Sequence, residues 1–265
     1  MHDFKYHRPD CLIKAVELIA HQDAKLLAGG MSLLPSLKLR LARYSDLIDL
    51  KSIAALQGIR RDGDTLTIGA MTQHAVVAAS DTVRQAIPAL AVLASGIGDP
   101  LVRNRGTIGG SIANADPAAD YPSSVVALGA TVMTNRREIP GDEFFLRLFE
   151  TALHPEEVIT SVRFPIPHRA GYTKLPHPAS RFALVGVFVA ETKTGVRVGI
   201  TGAGPCAFRQ GDFERALEVE FSPAALDNIL VSADELNSDI HASAEYRAHA
   251  TGVLAKRAIV AALAT

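Results

Sequence analysis

The chain has 265 residues, 48% apolar and 21% charged, enough for a substantial core in one large or several small domains. Lysine plus arginine (27) nearly balances aspartate plus glutamate (28), so no basic excess exists to neutralise a nucleic-acid backbone, and nucleic-acid binding is disfavoured. The two cysteines, Cys11 and Cys206, lie too far apart and are too few for a disulfide framework, or for an iron–sulfur cluster held by this chain alone.

In chain order, the apolar spacing of Leu12, Ala15, Val16, Ile19 and Ala20 predicts a helix over 11–20. A short buried strand at 25–28 runs into Gly29-Gly30. Ser32 is the expected N-cap of a helix carrying Leu33, Leu37 and Leu41, with Pro35 in its first turn. A strand follows at 46–50, then a hairpin over 59–68 folded at Asp62-Gly63-Asp64. Thr72 is expected to cap a helix reaching Ala79. A second helix starts near Asp81 and is broken by Pro88, from which a fresh one runs to Ser95. Further strands are expected at 125–134 and 158–164, with Phe144–Leu148 between them. Pro165-Ile166-Pro167 marks a boundary, since neither proline can donate to a sheet. Beyond it come a hairpin at 183–191 and 196–201 and helices at 213–219, 224–230 and 244–264. Three units result: 1–55, 56–167 and 168–265. The longest apolar stretches are shorter than a membrane span, and no secretory pattern is visible, so no transmembrane segment and a cytoplasmic location are expected.

Two glycine-rich loops carry the chemistry. The first is Ala28-Gly29-Gly30-Met31-Ser32-Leu33-Leu34-Pro35. The second is Arg103-Asn104-Arg105-Gly106-Thr107-Ile108-Gly109-Gly110-Ser111, continuing through Asn114, Asp116 and Asp120. A diphosphate needs several backbone N–H donors at close range, and residues without Cβ permit both the approach and positive φ. Either loop alone also reads as a plain structural turn. Neither has the Rossmann spacing or the Gly-Lys-Ser/Thr ending of a phosphate loop, so a dinucleotide here implies another fold. Gly199 to Gly204, followed by Pro205, reads as a turn. The nine histidines show no metal-ligand spacing, and His74 is expected to be partly exposed on its helix. No metal site and no catalytic acid, base or nucleophile is assigned.

Together with Tyr6-x-Arg8-Pro9, Ala115-Asp116-Pro117-Ala118-Ala119-Asp120 and Ser243-Ala244-x-Tyr246-Arg247, these motifs resemble the medium subunit of molybdenum hydroxylases, the FAD-binding subunit of the carbon monoxide dehydrogenase and xanthine dehydrogenase family. The likeness runs essentially end to end. It implies an α+β chain: a vanillyl-alcohol-oxidase-type FAD domain of two α/β subdomains (1–55 and 56–167) and a C-terminal α+β domain (168–265). Position by position, Gly29, Gly30, Met31, Ser32 and Leu33 resemble the first FAD loop, and Thr107, Ile108, Gly109, Gly110 and Ser111 the second. Asp120, Ile159 and Lys174 match further flavin-contacting positions. Met31 stands where the family commonly has Gln or His, and Ser111 where Asn is frequent.

The resemblance also implies partners: a small subunit with two [2Fe–2S] clusters and a large molybdopterin subunit, in a dimer of heterotrimers. Substrate is oxidised in the large subunit, and electrons pass through the clusters to FAD and on to an external acceptor. Two cysteines argue against the subgroup whose flavin subunit carries its own cluster. A stand-alone flavin oxidase and a non-catalytic adenine-dinucleotide module are the alternatives.

Overall fold

The computed structural model of the chain describes residues 1–264. Three sheets of three or more strands follow one another along the sequence. In the first, β1 (Lys5–His7), β2 (Ala24–Leu27) and β3 (Asp46–Asp49) are parallel in the order β1-β3-β2. Parallel neighbours need crossovers, and these are α1 (Leu12–Ile19) and α2 (Leu33–Lys38). All four residues of the central strand β3 are buried, and Ala15 and Ile19 of α1 pack in one cluster with Ile48, Leu50 and Ile53. The edge strand is tied down by side chains. The Tyr6 hydroxyl donates to Asp49 Oδ2 at 2.5 Å, and Arg8 Nε donates to Ser52 Oγ at 2.6 Å.

The second sheet is antiparallel, in the order β4-β5-β10-β6-β7. Its strands are β4 (Ile59–Asp62), β5 (Thr65–Gly69), β6 (Thr131–Thr134), β7 (Glu138–Pro140) and, further along the chain, β10 (Ile159–Pro165). Between β5 and β6 run α3 (His74–Ala79), α4 (Asp81–Ala86), α5 (Pro88–Ser95), α6 (Pro100–Arg103), α7 (Ile108–Asn114) and α8 (Tyr121–Ala127). Pro88 opens α5 at a position where its missing N–H costs nothing. A short helix α9 (Gly141–Phe144) and a small hairpin, β8 (Phe145–Arg147) with β9 (Glu150–Thr151), precede β10.

The third sheet, β11-β12-β13-β14, is also antiparallel: β11 (Arg169–Pro176), β12 (Ala183–Thr192), β13 (Gly195–Thr201) and β14 (Phe208–Arg209). It is followed by α10 (Gly211–Val219) and α11 (Ala244–Leu263). Two glycines set how closely its faces are covered. A Cβ at Gly171 would lie 2.0 Å from Ala258 O, so α11 rests directly on the sheet at that point. A Cβ at Gly199 would lie 2.2 Å from Ser123 O, which brings α8 equally close on β13. Helix α8 thereby joins the second and third sheets, and Tyr172 and Phe188 of the third share a core with Tyr121, Val125 and Val162.

Four of the expected elements differ in the structure. The expected strand over 125–134 is the end of α8 followed by β6, divided by Gly129 at φ 59°. A short apolar run has no period that separates buried strand from buried helix. Helix α2 stops at Lys38, which leaves Leu41 exposed. Thr72 does not cap α3; its hydroxyl instead exchanges hydrogen bonds with the Gly58 backbone, both at 3.1 Å. The expected helix over 224–230 is a single 3₁₀ turn, Pro223–Leu226.

Candidate functional site

The first glycine loop joins β2 to α2, and the second leads into α7. They touch. A Cβ on Gly29 would lie 2.2 Å from Arg105 O and 2.7 Å from Gly106 Cα, and one on Gly110 would lie 3.2 Å from Ala28 Cβ. Gly109 faces Ala70 in the same way, at 2.5 Å from its Cβ. The absent side chains at 29, 109 and 110 therefore make room for neighbouring protein. Gly30 is different: at φ 75° it holds the left-handed conformation that favours glycine.

The two loops also differ in what their backbones offer. In the second loop the amides are committed: Ile108 to Thr72 O, Gly109 to Ala70 O, Gly110 to Thr107 Oγ1 and Ser111 to Thr107 O, over 2.8–3.2 Å. In the first, the N–H groups of Gly29, Gly30, Met31, Ser32 and Leu33 donate to no acceptor among the described residues. Ser32 takes helical φ and ψ and makes no side-chain cap bond, so its hydroxyl is spare as well. A backbone N–H without a protein partner is a donor reserved for water or a ligand. Five in succession beside a left-handed glycine match what an oxygen-rich anion such as a diphosphate requires. FAD fits these residues.

Asp120 precedes α8 and is only 4% exposed. Its Oδ1 accepts from Tyr172 Oη at 2.6 Å and from Lys174 Nζ at 2.8 Å, and Lys174 also donates to Gly96 O and Arg181 O. Burial pushes the Asp120 carboxyl up, while Lys174 and Tyr172 pull it the other way. Asp120, at the start of α8, and Lys174, on β11 of the third sheet, are thus brought together. Ile159 is buried at the start of β10, packed in the main core. Met31 is 38% exposed, with its side chain outside the core.

Tyr172 was missed by sequence reasoning, since a lone Tyr within a strand pattern carries no signal for a distant carboxylate. His74, expected to be partly exposed, is only 4% exposed, lying beneath the second loop with Nε2 2.6 Å from where a Gly106 Cβ would sit. Its ring centroid is 5.4 Å from that of the fully buried Tyr121. Burial, with Arg103 adding repulsion, lowers the His74 pKa to about 4. The unfolded chain takes up that proton near 6.5. Stability contributed by neutral His74 is therefore complete above pH 6.5 and is lost as pH falls towards 4. Urea unfolding of the chain should show this loss across that window, and His74→Gln should flatten it. An equally steep loss in the variant would contradict the assignment.

Comparison with known proteins decides the family. The family described as "FAD binding domain in molybdopterin dehydrogenase" matches residues 2–167. The chain belongs to it. Along its whole length it is 38% identical to the carbon monoxide dehydrogenase medium chain of Hydrogenophaga pseudoflava, covering 98% of this chain and 97% of that one. It is 34% identical to the nicotine 6-hydroxylase medium subunit of Paenarthrobacter nicotinovorans, covering 97% and 96%. Among solved structures, carbon monoxide dehydrogenase from Hydrogenophaga pseudoflava superposes with a TM-score of 0.90, covering 99% of this chain and 98% of that one. Quinoline 2-oxidoreductase from Pseudomonas putida 86 does so at 0.89, with 28% identity and the same coverage. The chain is the FAD-binding, electron-transferring subunit of a molybdenum-dependent oxidoreductase. No helix among the described residues is long and apolar enough to cross a membrane.

Proposed function

We propose that this subunit accepts electrons from a small subunit carrying two [2Fe–2S] clusters and delivers them to an external acceptor, while substrate is oxidised at molybdopterin in a large subunit. The assembly is a cytoplasmic dimer of heterotrimers. The observation that carries this reading is the run of five unbonded amides at Gly29–Leu33, held against a second loop whose own amides are engaged. Gly29, Gly30, Met31, Ser32 and Leu33 bind the diphosphate through their backbone. Thr107, Ile108, Gly109 and Gly110 brace that loop from behind, and Ser111 adds a hydroxyl that has no partner among the described residues. Ile159 supplies apolar wall. Asp120 and Lys174, the buried charged pair that ties the start of α8 to β11, contact the flavin end of the cofactor in this reading. When bound, FAD supplies a store for two electrons between the partner and the acceptor. The division into 1–55, 56–167 and 168–265 is supported by one sheet of three or more strands lying within each unit.

Neither glycine motif contains a His or Cys for covalent attachment, so acid precipitation should release all the flavin. The purified chain with FAD should be bleached by an artificial reductant and by no hydroxylation substrate. Adding the iron–sulfur and molybdopterin subunits should restore bleaching by substrate. Oxidation of an organic substrate by the isolated chain at about 1–10³ s⁻¹, the ordinary enzymatic range, would contradict the proposal.

A further inference from the structure

Strands β11 and β12 are joined by a turn, 177–182, closed by the His177 amide donating to Phe182 O and the Arg181 amide to His177 O, both at 2.8 Å. Inside the turn, His177 Nδ1 accepts from the amides of Ala179 and Ser180, each at 3.2 Å. A ring nitrogen that accepts carries no proton, so the neutral imidazole holds its proton on Nε2. That Nε2 lies 3.3 Å from His241 Nδ1, with ring centroids 4.5 Å apart and planes at 77°. His177 therefore donates and His241 accepts. His241 sits in the segment before α11, and that segment is anchored. Asp239 accepts there from the His241 and Ala242 amides and from the buried Arg247, which also donates to Leu184 O and Gly202 O. The imidazole pair links this fixed segment to the turn.

The turn in its own right reaches the buried charged pair. Arg181 O accepts from Lys174 Nζ at 3.0 Å, and the Ala183 amide donates at 3.2 Å to Ala118 O, in the segment that carries Asp120. Arg181 holds φ 62°, a left-handed conformation that a residue with a Cβ keeps only where its surroundings impose it. His177 is half-buried and His241 exposed, so solvent protons reach both. A second proton on His177 enters at Nδ1, against two amide N–H groups. One on His241 enters at Nδ1, against the His177 Nε2–H. The charged groups around the pair are Asp239, Arg247, Arg181, Lys174 and Asp120. Among the described residues no carboxylate pairs with either ring: Asp239 is taken up by Arg247 and backbone amides, and Asp120 by Lys174 and Tyr172. An imidazolium in either position is uncompensated, and histidine changes charge between about pH 5 and 8.

We infer that His177 and His241 form a pH-sensitive latch, closed while both are neutral, which holds the 177–182 turn and with it the Arg181 carbonyl on Lys174. Acid opens the latch and lets Arg181 leave its left-handed conformation. The consequence for the cofactor rests on the placement of the flavin end at Asp120 and Lys174: FAD binds more weakly once the turn is released.

Nuclear magnetic resonance of the isotope-labelled chain across about pH 5–8, on wild type and His177→Asn, tests the latch. The Asn side chain can still accept from the two amides of the turn and has no atom in place of Nε2. In wild type at the alkaline end both rings should carry their proton on Nε2, and the Ala179, Ser180 and Lys174 signals should shift with the imidazoles as pH falls. In His177→Asn the His241 titration should move, and the Ala179 and Ser180 signals should lose their dependence on pH. A His177 proton on Nδ1, or a His241 titration indifferent to the substitution, overturns the latch whatever FAD does. Fluorescence titration with FAD gives the second reading. On acidification wild type should lose about two- to tenfold more affinity than His177→Asn, the worth of one hydrogen bond. An equal loss in both, with the latch signals as expected, overturns the placement of the flavin at Lys174 and leaves the latch standing.

Discussion

Gly29→Ala is expected to strip FAD from the chain. A single added methyl would sit 2.2 Å from a backbone oxygen of the second loop and 2.7 Å from Gly106 Cα. Backbone cannot swing aside as a side-chain tip does, so the loops must separate and the Gly29–Leu33 amides lose their common focus. Charge-assisted hydrogen bonds contribute about 1.5–3 kcal/mol each. Losing two of them weakens FAD binding by a factor of about 100 or more. The effect should be graded along the loops. Gly109→Ala meets the Ala70 Cβ at 2.5 Å and its carbonyl oxygen at 2.7 Å, and should be nearly as severe. Gly110→Ala first meets the Thr107 hydroxyl oxygen at 2.9 Å, a side-chain atom, and should cost less. Gly252→Ala is the folding control, because nothing lies within 4 Å of its Cβ position in α11. Fluorescence titration with FAD measures the series. Wild-type affinity in folded Gly29→Ala protein would contradict the loop contact.

Lys174→Met should produce the largest loss of stability. It removes the ammonium from a buried Asp120 and at the same stroke unties Gly96 O and Arg181 O. Leaving one partner of a buried pair uncompensated costs about 3–5 kcal/mol. The Asp120→Asn/Lys174→Met double variant should recover part of that loss, because no charge is then stranded. Urea unfolding of the flavin-free chain reads both. A single variant within about 1 kcal/mol of wild type, or a double variant no better than the single, would show that the pair does not hold the start of α8 against the third sheet.

What could be read in the sequence was local. The Gly29-Gly30 and Gly109-Gly110 loops, the break at Pro88, the hairpin over Gly63 and the antiparallel pair flanking 193–194 all announce themselves within a few residues, through φ requirements or apolar period. Tertiary choices were not legible. Val125 and Val126 look like strand residues, yet they sit in a helix because Gly199 opens a seat for it on β13. His74 looks like an amphipathic-helix residue, yet it is buried because the glycine loop closes over it. Nor does the sequence show that a Cβ at Gly29, Gly109 or Gly110 would meet neighbouring protein. Sequence cannot show which way a missing Cβ would have pointed.

The most direct measurement of the central claim is hydrogen exchange of the chain with and without FAD, followed by mass spectrometry. The account places the diphosphate on the free amides of Gly29–Leu33 and leaves the amides of Ile108–Ser111 in bonds they already make. FAD should therefore slow exchange strongly in peptides spanning residues 29–33, and much less in those spanning 108–111. Unchanged exchange at 29–33 on FAD saturation, or protection confined to the second loop, would contradict it.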